Sequence, residues 1–217
     1  NTKNLTIDGN AIVHNGDNSN AIANTGTVII NSGELSANND QYVINSTGGT
    51  VTVNGGNISN NQNTVRVYGS TITLNDGTIT AITGPAITGN GTSIINGGTV
   101  SSTSARTITS NTFTINGGNV IGNEYAASVS TFTMTGGTIT ANGIGVTTTS
   151  SNVSGGTINA GTYGIETDRI TMTDGNVNAS TGVGILLKNS GTITGGTIFG
   201  DTYGVQAKKT NRFRCKW

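Results

Sequence analysis

The chain has 217 residues, only 9% of them charged and 5% aromatic, with 34 Gly, one Pro, and ten basic side chains balancing ten acidic ones. That balance removes the electrostatic basis for binding nucleic acid or an anionic membrane surface, and no apolar run approaches the roughly 20 residues of a membrane span. Thr, Ser and Asn stand where charged residues usually do, and the wealth of Thr, Ile and Val argues against disorder, which avoids β-branched residues.

Apolar and polar residues alternate at period two, the mark of a strand, and glycine pairs between such runs mark sharp bends. The first unit places Leu5 and Ile7 before a bend at Asn10 and Ile12 after it. The same bend position then returns at Gly33, Gly56, Gly77, Gly98, Gly118, Gly137, Gly156, Gly175 and Gly196, at intervals of 23, 23, 21, 21, 20, 19, 19, 19 and 21 residues. Three columns keep step with it. Five residues before the bend stand Leu5, Val28, Val51, Ile72, Ser93, Phe113, Phe132, Ser151, Ile170 and Gly191. Three before it the series runs from Ile7 to Ile193, and two after it from Ile12 to Ile198. All three columns are predicted to point inward. Small residues (Ala37, Ala81, Ala141, Ala160, Ala179) then lead to a turn and a looser third strand, as in "GIGV", "YGIET", "VGILL" and "YGVQA".

A unit of strand, bend, strand, turn, strand, turn in about 20 residues cannot close a core by itself, so the units must stack. The fold class is therefore all-β: a right-handed parallel β-helix of about ten coils of 19 to 24 residues, three strands per coil. Left-handed β-helices hold a strict hexapeptide period, whereas here the interval drifts. At about 4.8 Å per coil, ten coils make a rod on the order of 48 Å long. Residues 1–207 form the solenoid and 208–217 a basic C-terminal tail or cap, in which Lys208, Lys209, Arg212, Arg214 and Lys216 crowd together and Phe213 and Trp217 are candidates to cover the last coil. Cys215 is the only cysteine, so no intrachain disulfide forms.

The segments "TVTVNGGNIS", "TITLNDGTIT", "TFTINGGNVI", "TFTMTGGTIT" and "TITGGTIFG" resemble the Gly-Gly-Thr-Ile repeats of right-handed β-helix proteins on bacterial surfaces, adhesin-like and autotransporter-like chains whose fold is shared with pectate lyases. The resemblance spans residues 4 to about 207. It implies a fold more than a function, because such solenoids carry adhesins, polysaccharide-cleaving enzymes, phage tail spikes and ice binders alike.

Polysaccharide cleavage needs carboxyl groups about 5 to 9.5 Å apart. Asp76 and Asp174 share a column but lie five coils apart, roughly 24 Å. Glu166 and Asp168, two apart on one strand, have the right spacing, yet Arg169, Lys188 and Lys208 beside them make a surface charge cluster the plainer reading. His14 is the only histidine and the repeat sets neither an acid nor a serine beside it as a catalytic partner. The acid spacing matches neither an EF-hand nor the Gly-Gly-x-Gly-x-Asp calcium repeat, so no cofactor or metal is expected.

What remains is the outward surface. Thr50 and Thr52, Thr71 and Thr73, Thr92, Thr112 and Thr114, and Thr131 and Thr133 form a two-file array, about 6.7 Å apart along the strand and about 4.8 Å between coils. Such an array is similar to the ice-binding face of β-solenoid antifreeze proteins, and it is also what a good exposed strand former produces. Asn31, Asn54, Asn75, Asn96 and Asn116 close the first strands and suit a structural ladder. Tyr125, Tyr163 and Tyr203 recur as an aromatic stack or a platform for sugar rings. The expectation is a non-catalytic adhesive or structural rod, extracellular or on a cell surface and a fragment of a longer secreted chain, binding a surface glycan, a protein receptor or ice. It is expected neither to bind nucleic acid nor to insert in a membrane, and its uncapped first coil allows end-to-end self-association.

Overall fold

The computed structural model describes residues 1–16, 19–37, 41–104 and 106–208. Among these are 23 strands and no helix, and the strands pair only in parallel, each with its counterpart one coil away. The result is a parallel β-solenoid of about ten turns. In the first coil the strands are Asn4–Ile7, Ile12–Asn15 and Ile22–Asn24; in the fourth they are Thr71–Leu74, Thr78–Ala81 and Ile87–Gly89. The expectations for Phe213, Cys215 and Trp217 lie outside the described residues, as does all of the tail beyond Lys208.

The inward columns pack as the alternation requires. Val28, Val51, Ile72, Phe113, Phe132 and Ile170 occupy the first, Ile30, Val53, Leu74, Ile95, Ile115, Met134 and Met172 the second, and Leu35, Ile58, Ile79, Val100, Val120, Ile139, Ile158 and Val177 the third, all buried. Phe113 and Phe132 stack in register with ring centroids 5.5 Å apart. A further inward column, which the glycine alignment does not reveal, belongs to the third strands: Ile22, Ile44, Val65, Ile87, Ile108, Ala127, Val146, Ile165 and Ile185 are buried and sit over one another.

Three expectations need correction. Ile12 is 74% exposed, and Val13 takes its place opposite Leu35. The first strands pair as Ile7 with Ile30, so the first coil holds one extra residue in its bend, and a one-residue slip turns the strand over. In the last described coil, Gly191 and Ile193 are exposed and Ile198 only half-buried. Finally, the turn expected after each third strand does not persist. From the fifth coil on, the third strand runs straight into the next coil, giving Arg106–Ile115, Tyr125–Met134, Ile144–Ala160, Tyr163–Ala179 and Val183–Ile193. Earlier coils turn this corner on glycines with positive φ, Gly49 (69°), Gly69 (59°) and Gly89 (140°). The later corners "TSNT", "VSTF" and "TTSS" carry none. Without that freedom the chain stays extended, and the interval shortens accordingly.

Candidate functional site

The threonine array occupies the face built by the first strands. Thr27, Thr50, Thr71, Thr92, Thr112 and Thr131 follow one another in unbroken register, and Ser150 continues the file. The second file reads Thr52, Thr73, Ile94, Thr114 and Thr133, preceded by Ile29 and followed by Asn152. All nine threonines singled out in the sequence thus lie on one face, which also gains Thr27; the signal for it, a Thr one residue before Val28, was present in the sequence. Parallel pairing leaves no bulge between Thr27 and Met134 on this face. Beyond Thr133 it becomes uneven, with Asn152 and then Arg169 replacing hydroxyls.

A hydrogen-bonded ladder of amides borders this face. Asn54 Nδ2 donates to Asn31 Oδ1 at 2.9 Å, and Asn75, Asn96 and Asn116 each donate to the amide one coil below at 2.8 Å. Thr135 Oγ1 caps the series on Asn116 Oδ1 at 2.8 Å. Asn54, Asn75, Asn96 and Asn116 each spend one donor and one acceptor on their neighbours, and Asn31 accepts at the end of the ladder.

The face of the second strands is also polar: Asn57, Thr78, Thr99, Asn119, Thr138 and Thr157 stack in one file, with Thr78 Oγ1 donating to Asn57 Oδ1 at 2.6 Å. His14 starts the adjacent file, its Nδ1 2.9 Å from Ser36 Oγ. Side-chain charge on the strands gathers on the third face. There Arg66 lies over the rings of Tyr42 and Tyr68, at 5.7 and 5.3 Å, and Arg106 lies over Tyr125 at 5.4 Å. Ile144 stands between Tyr125 and Tyr163, and Val183 between Tyr163 and Tyr203. The tyrosines therefore alternate with aliphatic residues and form no continuous aromatic stack.

Of the acids weighed for cleavage, Glu166 Oε1 pairs with Lys188 Nζ at 2.8 Å. The hydrogen bond that Lys188 donates to Glu166 raises the Lys188 pKa above its ordinary value; attraction to Glu166 and Asp168 adds to this and desolvation opposes it. A raised cationic pKa contributes stability below the ordinary lysine value and loses it as pH rises through the folded value. With Lys188 38% exposed, water screens the pair to about 1 kcal/mol or less. Asp76 and Asp174 each accept the following glycine N–H, at 2.7 and 2.8 Å, inside their bends. Among the described residues, no three His, Cys, Asp or Glu side chains converge to hold a metal ion.

Buried polar groups went unrecognised in the sequence. Ser46, Ser110, Thr148 and Thr167 point inward at the end of the third strand, and each hydroxyl donates to the carbonyl two residues on, at 2.9, 3.1, 3.2 and 2.8 Å. The chain matches no family model, no curated protein and no solved structure.

Proposed function

We propose that the chain is a non-catalytic adhesive or structural rod of the bacterial surface type, working outside the cell by many weak contacts. The observation that carries this reading is the pair of adjoining faces on which hydroxyls and amides repeat in register coil after coil. Each contact is a single exposed hydrogen bond of modest net value, so useful affinity must come from the number engaged at once. A surface with few charges also keeps its contacts nearly independent of salt.

Beads coated with the full chain are expected to hold to glycan- or receptor-coated surfaces, with single substitutions such as Thr73→Glu lowering retention a few-fold and combined substitutions multiplying. One substitution that abolishes retention, or a triple substitution that leaves it intact, contradicts the multivalent mechanism.

A second reading, ice binding, has one observation in its favour: the bulge-free threonine face from Thr27 to Thr133, whose two file spacings repeat without interruption by charge. It predicts thermal hysteresis that Thr114→Tyr removes, since one large side chain lifts a flat face away from a lattice. Ice growth shaped equally by both proteins, or by neither, rules it out.

A further inference from the structure

We infer that the protein carries one binding site for a tetrahedral oxyanion, a sulfate or phosphate ester, around Arg169. This site lies on the same face beyond the regular threonines and does not depend on the multivalent mechanism. Arg169 is where the first-face file breaks: in register, Ser150 lies one coil below it and Ser190 one coil above, with Thr171 two residues on from Arg169 and Thr192 two residues on from Ser190. These residues surround an open concavity of about 380 Å³. An extra residue in the tenth coil, between Leu187 and Ser190, shifts the register at this point.

Two nearby carboxylates are already bonded, and Arg169 is not. Glu166 is bonded to Lys188, and Asp174 accepts the Gly175 N–H. The Arg169 guanidinium has no ion pair, hydrogen bond or ring contact among the described residues, and the four surrounding hydroxyls have no partner there either.

An unpaired guanidinium donates through a planar fork of N–H groups, which two oxygens of an anion satisfy. A carboxylate has no oxygen left after that. A sulfate or phosphate ester retains a third for the hydroxyls from the coils above and below, so the donor set favours the tetrahedral group. The hydroxyl- and amide-rich surface on either side fits the remainder of a sugar that bears such an ester.

Calorimetry on the full chain tests this with four probes: a sulfated disaccharide, its desulfated form, a uronate disaccharide and inorganic sulfate. The expected result is one site per chain for the sulfated sugar, weakened as salt rises from 50 to 500 mM. Arg169→Gln should weaken it at least tenfold, Arg169→Lys should retain part of it, and Arg66→Gln, which removes the same charge from the third face, should leave it unchanged. Binding of inorganic sulfate alone still supports the oxyanion site but makes the free ion its ligand. Equal binding of the desulfated or uronate sugar, equal binding by Arg169→Gln, or no binding of any probe overturns the proposal. Because Arg169 is exposed, an unchanged melting curve separates loss of binding from loss of fold.

Discussion

Replacing Ile139 with Asp is expected to unfold the solenoid at neutral pH. Ile139 is fully buried, stacked between Val120 and Ile158 in register. A carboxyl held there has its pKa driven up by desolvation; for a rise of 3 to 5 units the gap between pH 7 and the unfolded value near 4 limits the penalty to about 4 kcal/mol at pH 7, added to roughly 1.5 to 3 kcal/mol of lost apolar burial. That is comparable to the whole stability of an ordinary domain. The penalty belongs to the ionised form, so it grows as pH rises above the unfolded value near 4 and shrinks below it. The variant should therefore recover part of its β signal in circular dichroism on acidification to about pH 4. Thr140→Asp, one residue along and exposed, should cost no more than about 0.5 kcal/mol. If both variants melt like the parent protein, the inward column is not the core.

This contrast between adjacent residues shows why so much of the fold was legible. Strand alternation and the glycine bend operate over a few residues, so Val51, Val53 and Ile58 announce their direction without reference to anything distant. The third strand was harder. Its phase is set by turns of varying length: the inward residue lies nine positions after the bend glycine at Val146 but ten at Ile108 and eleven at Ile44. Ile12 failed for the same reason on a smaller scale, since nothing around Asn10 shows that the first bend holds one more residue than the second. The inward Ser and Thr at the strand ends were invisible because Thr167 resembles the outward threonines in type, and only the burial of its neighbours distinguishes it. The threonine face could be listed residue by residue, but its flatness could not be read, because flatness depends on pairing without a bulge. Arg169 was legible only as part of a charge cluster. That Glu166 turns instead to Lys188, leaving the guanidinium alone among hydroxyls, is a property of coil stacking.

Stacking also predicts the second large effect. Gly98→Val is expected to cost roughly 3 to 5 kcal/mol, more than its backbone conformation explains. Gly98 has φ of +67°, where a residue with a side chain loses about 1 to 3 kcal/mol and a β-branched one more. To this is added a clash: a Cβ would lie 2.4 Å from the carbonyl oxygen of Gly77 and 3.0 Å from its nitrogen. Those are backbone atoms of the coil below, held by the bond from Thr99 N to Gly77 O at 2.9 Å. They have no rotamer by which to withdraw, so relief requires the coils to part and weakens the ladder on both sides. Gly9 provides the control. Its φ of +65° is nearly the same, but an added Cβ there meets nothing within 4 Å. Gly9→Val therefore carries the conformational cost alone, and the difference between the two melting transitions measures the stacking contribution. Equal losses would mean that the bend needs glycine only for its backbone angle and that the coils tolerate a side chain between them. A larger loss at Gly98 would place the selective pressure for glycine on the contact between coils, consistent with its recurrence at this bend from Gly33 to Gly196 while the residue before it varies among Gly, Ser and Asp.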